Sequence, residues 1–163
     1  MSHDAAPPRD AQPILVSACL AGIACRYDGA AKRDGHIVAL VEAGLAIPVC
    51  AEILGGLATP RPPAEISGGD GHDVLAGRAH VITASGEDVS EAFVEGASRV
   101  VDLARERGVT VAVLQPKSPS CGVGQIYDGS HERRLREGDG VLVAALKQVG
   151  VEVVAHRPET TNT

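Results

Sequence analysis

Four cysteines, Cys19, Cys25, Cys50 and Cys121, give this chain its widest chemical range, since a thiol can fill a core, attack as a nucleophile, pair in a redox couple or bind a soft metal. Structural zinc usually draws two ligands from one tight C-x-x-C turn, and the step from Cys19 to Cys25 is too long for that. A thiolate nucleophile wants a His partner, and none of His3, His36, His72, His80, His131 and His156 pairs with a cysteine in sequence. Three cysteines from separate loops suit an iron-sulfur cluster, whose iron matches soft sulfur and whose size spans several loops. One iron would then remain open as a Lewis acid. Glu52, two residues past Cys50, can reach the same pocket for general acid/base work, or it is a solvated loop carboxylate. Ser118 and Ser120 flank Pro119 just before Cys121, where a hydroxyl orients substrate or water, or caps a turn. The Arg26-Tyr27-Asp28-Gly29 run offers a cation, a phenol and a carboxylate for a polar ring, and reads equally as a solvent-facing turn. Cys25, between Ala24 and Arg26, reads as core filler as readily as anything else.

These residues follow short apolar runs. Residues 14–18 after Pro13 read as a buried parallel strand with Cys19 at its end, and residues 45–49 as a second with Cys50 at its end. Between them, residues 35–43 look helical and stop at Gly44. Residues 51–78 are rich in Gly and Pro and predict a long loop without a long regular element. Residues 79–83 predict a short strand. Asp88 predicts the start of the clearest helix, with Glu91 completing a capping box and Gly108 at its end. Residues 109–114 form a third apolar strand, and the two prolines that follow put Cys121 in the loop after it. An extended piece at 125–127, a charged stretch at 132–137, a helix at about 140–148 and a strand at 151–155 complete the pattern. Alternating strands and helices predict an α/β domain with a mainly parallel sheet and helices on both faces. Ligands of such sheets bind beyond the carboxyl ends of the strands, so Cys19, Cys50 and Cys121 should converge there.

The 163 residues, 44% of them hydrophobic, suit one domain over residues 14–155, with residues 1–13 expected to be disordered and 156–163 a loose tail. No run approaches the roughly 20 apolar residues of a membrane span, and the first thirteen residues lack a signal-peptide core, so the expected location is cytoplasmic, where thiols stay reduced. Lys and Arg number 15 against 21 Asp and Glu, a net charge of −6 that disfavours nucleic acid and anionic membranes as partners. Aromatic residues are 2% of the chain, too few to build stacking platforms for single strands. A small substrate fits this balance better.

Three motifs occur together and in order. The first is Cys19-Leu20-Ala21-Gly22 with Cys25-Arg26-Tyr27-Asp28-Gly29. The second is Pro48-Val49-Cys50-Ala51-Glu52 with Gly55-Gly56-Leu57 and residues 59–65. The third is Ser118-Pro119-Ser120-Cys121-Gly122 with Tyr127-Asp128-Gly129. In these the chain resembles, over about residues 14–155, the domain of unknown function 523 family, whose characterised members are thiouracil desulfidases. The resemblance implies a single Rossmann-like domain holding a [4Fe-4S] cluster through Cys19, Cys50 and Cys121, with the fourth iron not ligated by protein and free for the sulfur of a thiolated base. It implies Glu52 as the catalytic carboxylate and Ser118 as the assisting serine, and leaves Cys25 outside the ligand set. Ala51 replaces the proline usual between Cys and Glu, and His131 stands where an aromatic often follows Tyr-Asp-Gly. Larger relatives carry an extra domain associated with thiolated transfer RNA that these residues do not include. The expected substrate is therefore a free thiolated nucleobase or nucleoside such as 4-thiouracil, converted to the oxo base and sulfide. The rival is a non-enzymatic iron-sulfur or metal-binding sensor or carrier using the same cysteines.

Overall fold

In a computed structural model, residues 12–157 of the chain are described. The segments expected to be disordered or loose, 1–13 and 156–163, fall largely outside them. Four short parallel strands, β1 (Ile14–Ser17), β2 (Ala46–Val49), β5 (Val111–Leu114) and β8 (Glu152–Ala155), form the central sheet in the order β2-β1-β5-β8. The chain steps outward from β1 to β2, then crosses back to β5 and on to β8. The strand order therefore reverses direction between β1 and β5, which is where open α/β sheets place their ligands.

Side chains alternate across this sheet, as the pleat requires. Leu15, Val49, Ala112 and Leu114 enter the larger core, with α4 (Ser90–Arg107) and α5 (Val141–Gln148) over that face. Val16 and Ala46 enter a smaller core under α1 (Gly35–Glu42) on the other face. With so few aromatics, the larger core is built of Ala, Val, Leu and Ile around Phe93, and the smaller of the same aliphatic types with Cys19 and Cys25. Helices on both faces follow from right-handed crossovers that run in opposite directions on either side of β1.

The Gly- and Pro-rich stretch holds more order than its composition suggests, all of it in short pieces. It contains α2 (Ala51–Leu54), β3 (Ala64–Ser67) and α3 (Gly71–Leu75), and β3 pairs antiparallel with β4 (His80–Thr83). The expected strand at 79–83 therefore belongs to a separate ribbon outside the parallel sheet. A second ribbon pairs β6 (Gln125–Tyr127) with β7 (Leu135–Glu137), so half of the charged stretch at 132–137 is an exposed strand.

The expected capping box at Asp88 and Glu91 does not form. The long helix starts at Ser90 with no side-chain cap, because the chain is still tied to β4 there. Val89 N donates to Val81 O, the Ser90 hydroxyl accepts from Val81 N at 2.8 Å, and Asp88 meets His80 at 3.0 Å. A capping box is present instead on α3, between Asp70 and Asp73. His156, beyond β8, is fixed by Asp34 at 2.7 Å, and this hydrogen bond is the main cause that holds the Asp34 carboxyl below its usual range.

Helix α2 lies directly against α4, and two glycines permit it. A methyl group on Gly96 would overlap Ala51 O, and one on Gly55 would overlap Ala92 O. Replacing a helical Gly by Ala normally gains about 0.5–1 kcal/mol. Here the added atom meets backbone that cannot rotate away, and overpacking of this kind costs typically about 1–3 kcal/mol. Gly96→Ala is therefore expected to lower the urea midpoint of unfolding, and a raised midpoint would show that α2 does not rest on α4 as described.

Candidate active site at the carboxyl edge of the sheet

Each of the three strand ends delivers one cysteine to the same place. After β1 the chain makes a single 3₁₀ turn, Ala18–Ala21, which carries Cys19 and closes on Gly22 in the left-handed conformation, φ 90°. After β2, Cys50 is the N-cap residue of α2, so Glu52 falls in the first turn of that helix. After β5, the residues around Pro116 and Pro119 turn away from the sheet, with Lys117 at φ 73°, and bring Ser118, Ser120 and Cys121 back beneath the strand ends.

The last loop is held from two sides. The first N–H groups of α5 have no partners within the helix, and they donate to this loop: Val141 N to Pro119 O at 2.8 Å and Leu142 N to Ser120 O at 3.0 Å. Gly140 permits the approach, since a methyl group there would overlap Ser120 O. From the sheet, the Ser17 hydroxyl accepts from Gln115 N at 2.8 Å and donates to Cys121 Sγ at 3.4 Å, a staple from β1 to the loop after β5. Ser118 Oγ accepts from Cys121 N at 2.7 Å, while Ser120 is buried.

Cys19, Cys25, Cys50, Cys121, Glu52, Ser118 and Ser120 all line one cavity of about 570 Å³. The expected ligand and acid/base positions are thus brought together, and so is Cys25. Tyr27, Tyr127, His131 and Arg133 also line the cavity, so the Arg-Tyr-Asp-Gly run reaches it through Arg26 and Tyr27. His131 is placed by Glu65, whose Oε1 accepts both Gly129 N at 2.9 Å and His131 N at 3.0 Å.

The thiols influence one another's ionisation. Burial pushes Cys121 up to about 12, with Glu52, Cys19 and Cys50 adding to the rise and the Ser17 hydrogen bond opposing it. Burial also raises Cys19, against the pull of Arg26. The neighbouring thiol is the largest influence on both Cys25 and Cys50, holding Cys50 below and Cys25 above the usual thiol range. Cys50 Sγ also lies 3.9 Å from the carbonyl of Cys25.

Arg61 has no counterpart among the site residues expected from sequence. Its side chain, 8% exposed, reaches Glu52 Oε1 through Nε at 3.0 Å and Nη2 at 2.9 Å. The same guanidinium donates to Ala58 O, Thr59 Oγ1 and the Cys25 carbonyl. Burial raises the Glu52 carboxyl, and Arg61 offsets part of that rise. Ser17 was also outside the expected set. Arg61 lies within the motif residues 59–65, but its role and that of Ser17 depend on partners elsewhere in the chain, Glu52 and Cys25 for Arg61 and Gln115 and Cys121 for Ser17.

A single metal ion and an iron-sulfur cluster need different spacings of their sulfur ligands. Among the described residues, the His, Cys, Asp and Glu donors that close to within 4.8 Å of one another are Asp70, His72 and Asp139, a group already engaged by Lys147 at 2.9 Å. The three sulfurs are therefore spread more widely than one ion with metal-sulfur bonds of about 2.3 Å would need. Three soft donors around a cavity of this size fit an iron-sulfur cluster.

A parallel sheet flanked by helices on both faces, with a thiol-lined cavity beyond its strand ends, defines an α/β domain of the doubly wound class. The chain belongs to the 2-thiouracil desulfurase family, whose model matches residues 14–157. It is 48% identical over 142 residues to the uncharacterized protein YbbK of Bacillus subtilis (strain 168), covering 87% of this chain and 94% of that one. Among solved structures it is similar to the [4Fe-4S]-dependent thiouracil desulfidase TudS, at 40% identity and a TM-score of 0.78, covering 89% of this chain and 91% of that one. No helix among the described residues is long and apolar enough to cross a membrane.

Proposed function

We propose that this chain is a thiouracil desulfidase that hydrolyses the carbon-sulfur bond of a free thiopyrimidine such as 4-thiouracil, giving the oxo base and sulfide. In this reading Cys19, Cys50 and Cys121 hold a [4Fe-4S] cluster with one iron not ligated by protein. When bound, the cluster would supply a Lewis acid that withdraws electrons from the thiocarbonyl carbon. The observation that carries the proposal is the meeting of three soft sulfurs and one largely buried carboxylate in a single cavity.

The balance is simple: thiocarbonyl plus water gives carbonyl plus hydrogen sulfide, with no net redox change. The chain's own task is to deliver water and move a proton. Glu52 is suited to take the proton of the attacking water and return it toward the departing sulfur, because burial brings its carboxyl closer to the operating pH. Ser118 is committed to Cys121 N as an acceptor, and its hydroxyl hydrogen remains available to orient water or the base. Tyr127 and His131 stand where a flat polar ring would enter.

A sensor or carrier could use the same cysteines. What favours the enzyme is Glu52: a carrier has no use for a carboxylate held in the cavity by a buried Arg. Purified without air, the protein is expected to contain iron and acid-labile sulfide in equal amounts and to release sulfide from 4-thiouracil. A cluster-loaded protein inactive on every thiopyrimidine would favour the carrier, and a protein that binds no iron would remove both readings.

A further inference from the structure

Glu52 offers two carboxylate oxygens, and the structure treats them differently. Both Arg61 contacts, from Nε and from Nη2, converge on Oε1. Oε2 has no protein partner among the described residues, although the side chain lines the cavity. The remaining Arg61 donors reach the Ala58 carbonyl and the Thr59 hydroxyl in its own loop, and the Cys25 carbonyl from another part of the chain, the same carbonyl that Cys50 Sγ approaches. The Arg61 backbone N–H adds a bond to Tyr27 O at 2.7 Å. A buried guanidinium with every donor direction engaged is a rigid fork, since its planar geometry is set before the bonds form.

We infer that Arg61 is the positioning residue of this site: it fixes Glu52 by one oxygen so that the other faces the reacting water, and it ties that carboxylate to the Cys25 and Cys50 segments. This rests on the acid/base reading of Glu52. Misplacing a catalytic group by about 1 Å can cost about 10²-fold in rate, so the effect of losing the fork belongs in kcat, with substrate binding little changed.

The test uses the full chain, loaded with its cluster under anaerobic conditions, as Arg61→Gln, Arg61→Lys, Glu52→Gln and the Arg61→Gln/Glu52→Gln double variant. Iron, acid-labile sulfide and thermal unfolding are measured beside kcat and KM for sulfide release from 4-thiouracil. Arg61→Gln is expected to lose about 10²-fold in kcat with KM little moved and iron retained. In the Glu52→Gln background the same change should cost nothing further, because positioning cannot act through a group already removed. Wild-type kcat in an intact Arg61→Gln protein overturns the inference and leaves the role of Glu52 standing. A full additional loss in the double variant also overturns it, marking Arg61 as a general scaffold residue. If Arg61→Gln loses iron or unfolds, Arg61→Lys decides, paired with Glu52→Gln: a kcat loss that vanishes in that pairing supports the inference, and wild-type kcat or an additive loss overturns it. Wild-type kcat in Glu52→Gln removes the acid/base reading and the inference together.

Discussion

Glu52→Gln is expected to slow sulfide release from 4-thiouracil by about 10²- to 10⁴-fold while the iron and sulfide content of the protein stays unchanged, the range typical of losing a general acid/base. The substitution is nearly isosteric. Gln keeps a carbonyl oxygen to accept from Arg61, so the bonds that order residues 58–61 and the Cys25 carbonyl survive. What disappears is the ability to take and return a proton. Because Glu52 is only two residues from Cys50, iron content must be measured on the same sample, and so must thermal unfolding. Equal turnover by wild type and variant would exclude Glu52 as the base. A proportional loss of iron and rate would instead assign it to holding the site together.

Much of the layout was legible because it depends on local signals. Residues 14–17 and 111–114 are apolar runs ended by Ser-Ala-Cys or by prolines, and a parallel strand buried on both faces has that composition. Once such strands are placed in one sheet, their carboxyl ends must share an edge, and Cys19, Cys50 and Cys121 follow. The features that were not legible depend on partners distant in sequence. Arg61 stands among prolines with no periodicity around it, and its bonds run to Glu52, nine residues away, and to Cys25, thirty-six residues away. Ser17 reads as the end of a strand, and only the crossing from β1 to β5 shows that its hydroxyl serves Gln115 and Cys121.

One local reading failed, and one stretch carried no local signal for the structure it adopts, for physical reasons of the same kind. Asp88 and Glu91 have the spacing of a capping box, yet the Val81 to Val89 and Ser90 bonds keep the chain paired with β4 past the point where the box would close. Residues 135–137, read from sequence only as part of a charged stretch, are exposed, and their extended shape comes from pairing with β6 rather than from burial. Hydrogen bonding to a strand distant in sequence decides the local structure in both places. The Gly-Gly signal after Glu52 is the opposite case: Gly55 looked like loop composition, and it is the contact that lets α2, with Cys50 and Glu52, rest against α4.

Cys50→Ser and Cys121→Ser are each expected to reduce bound iron to the background of a cysteine-free control, whereas Cys25→Ser keeps iron, acid-labile sulfide and the visible absorption of the cluster. All four cysteines line the cavity, so position alone does not rank them. What ranks them is how each is held. Cys50 is the N-cap residue of α2, and Cys121 is fixed through its backbone by Ser118 and through its sulfur by Ser17. Cys25 contributes to the site chiefly through its carbonyl, which accepts from Arg61 and is approached by Cys50 Sγ. That carbonyl survives substitution of the side chain. Serine presents a hard oxygen in place of soft sulfur, so at a true ligand position the loss should be large even though the side chains are close in size. Iron measured after anaerobic reconstitution decides between these assignments. Loss of the cluster from Cys25→Ser together with its retention in Cys50→Ser would exchange the roles of the two residues, and retention in Cys121→Ser would remove the loop after β5 from the ligand set.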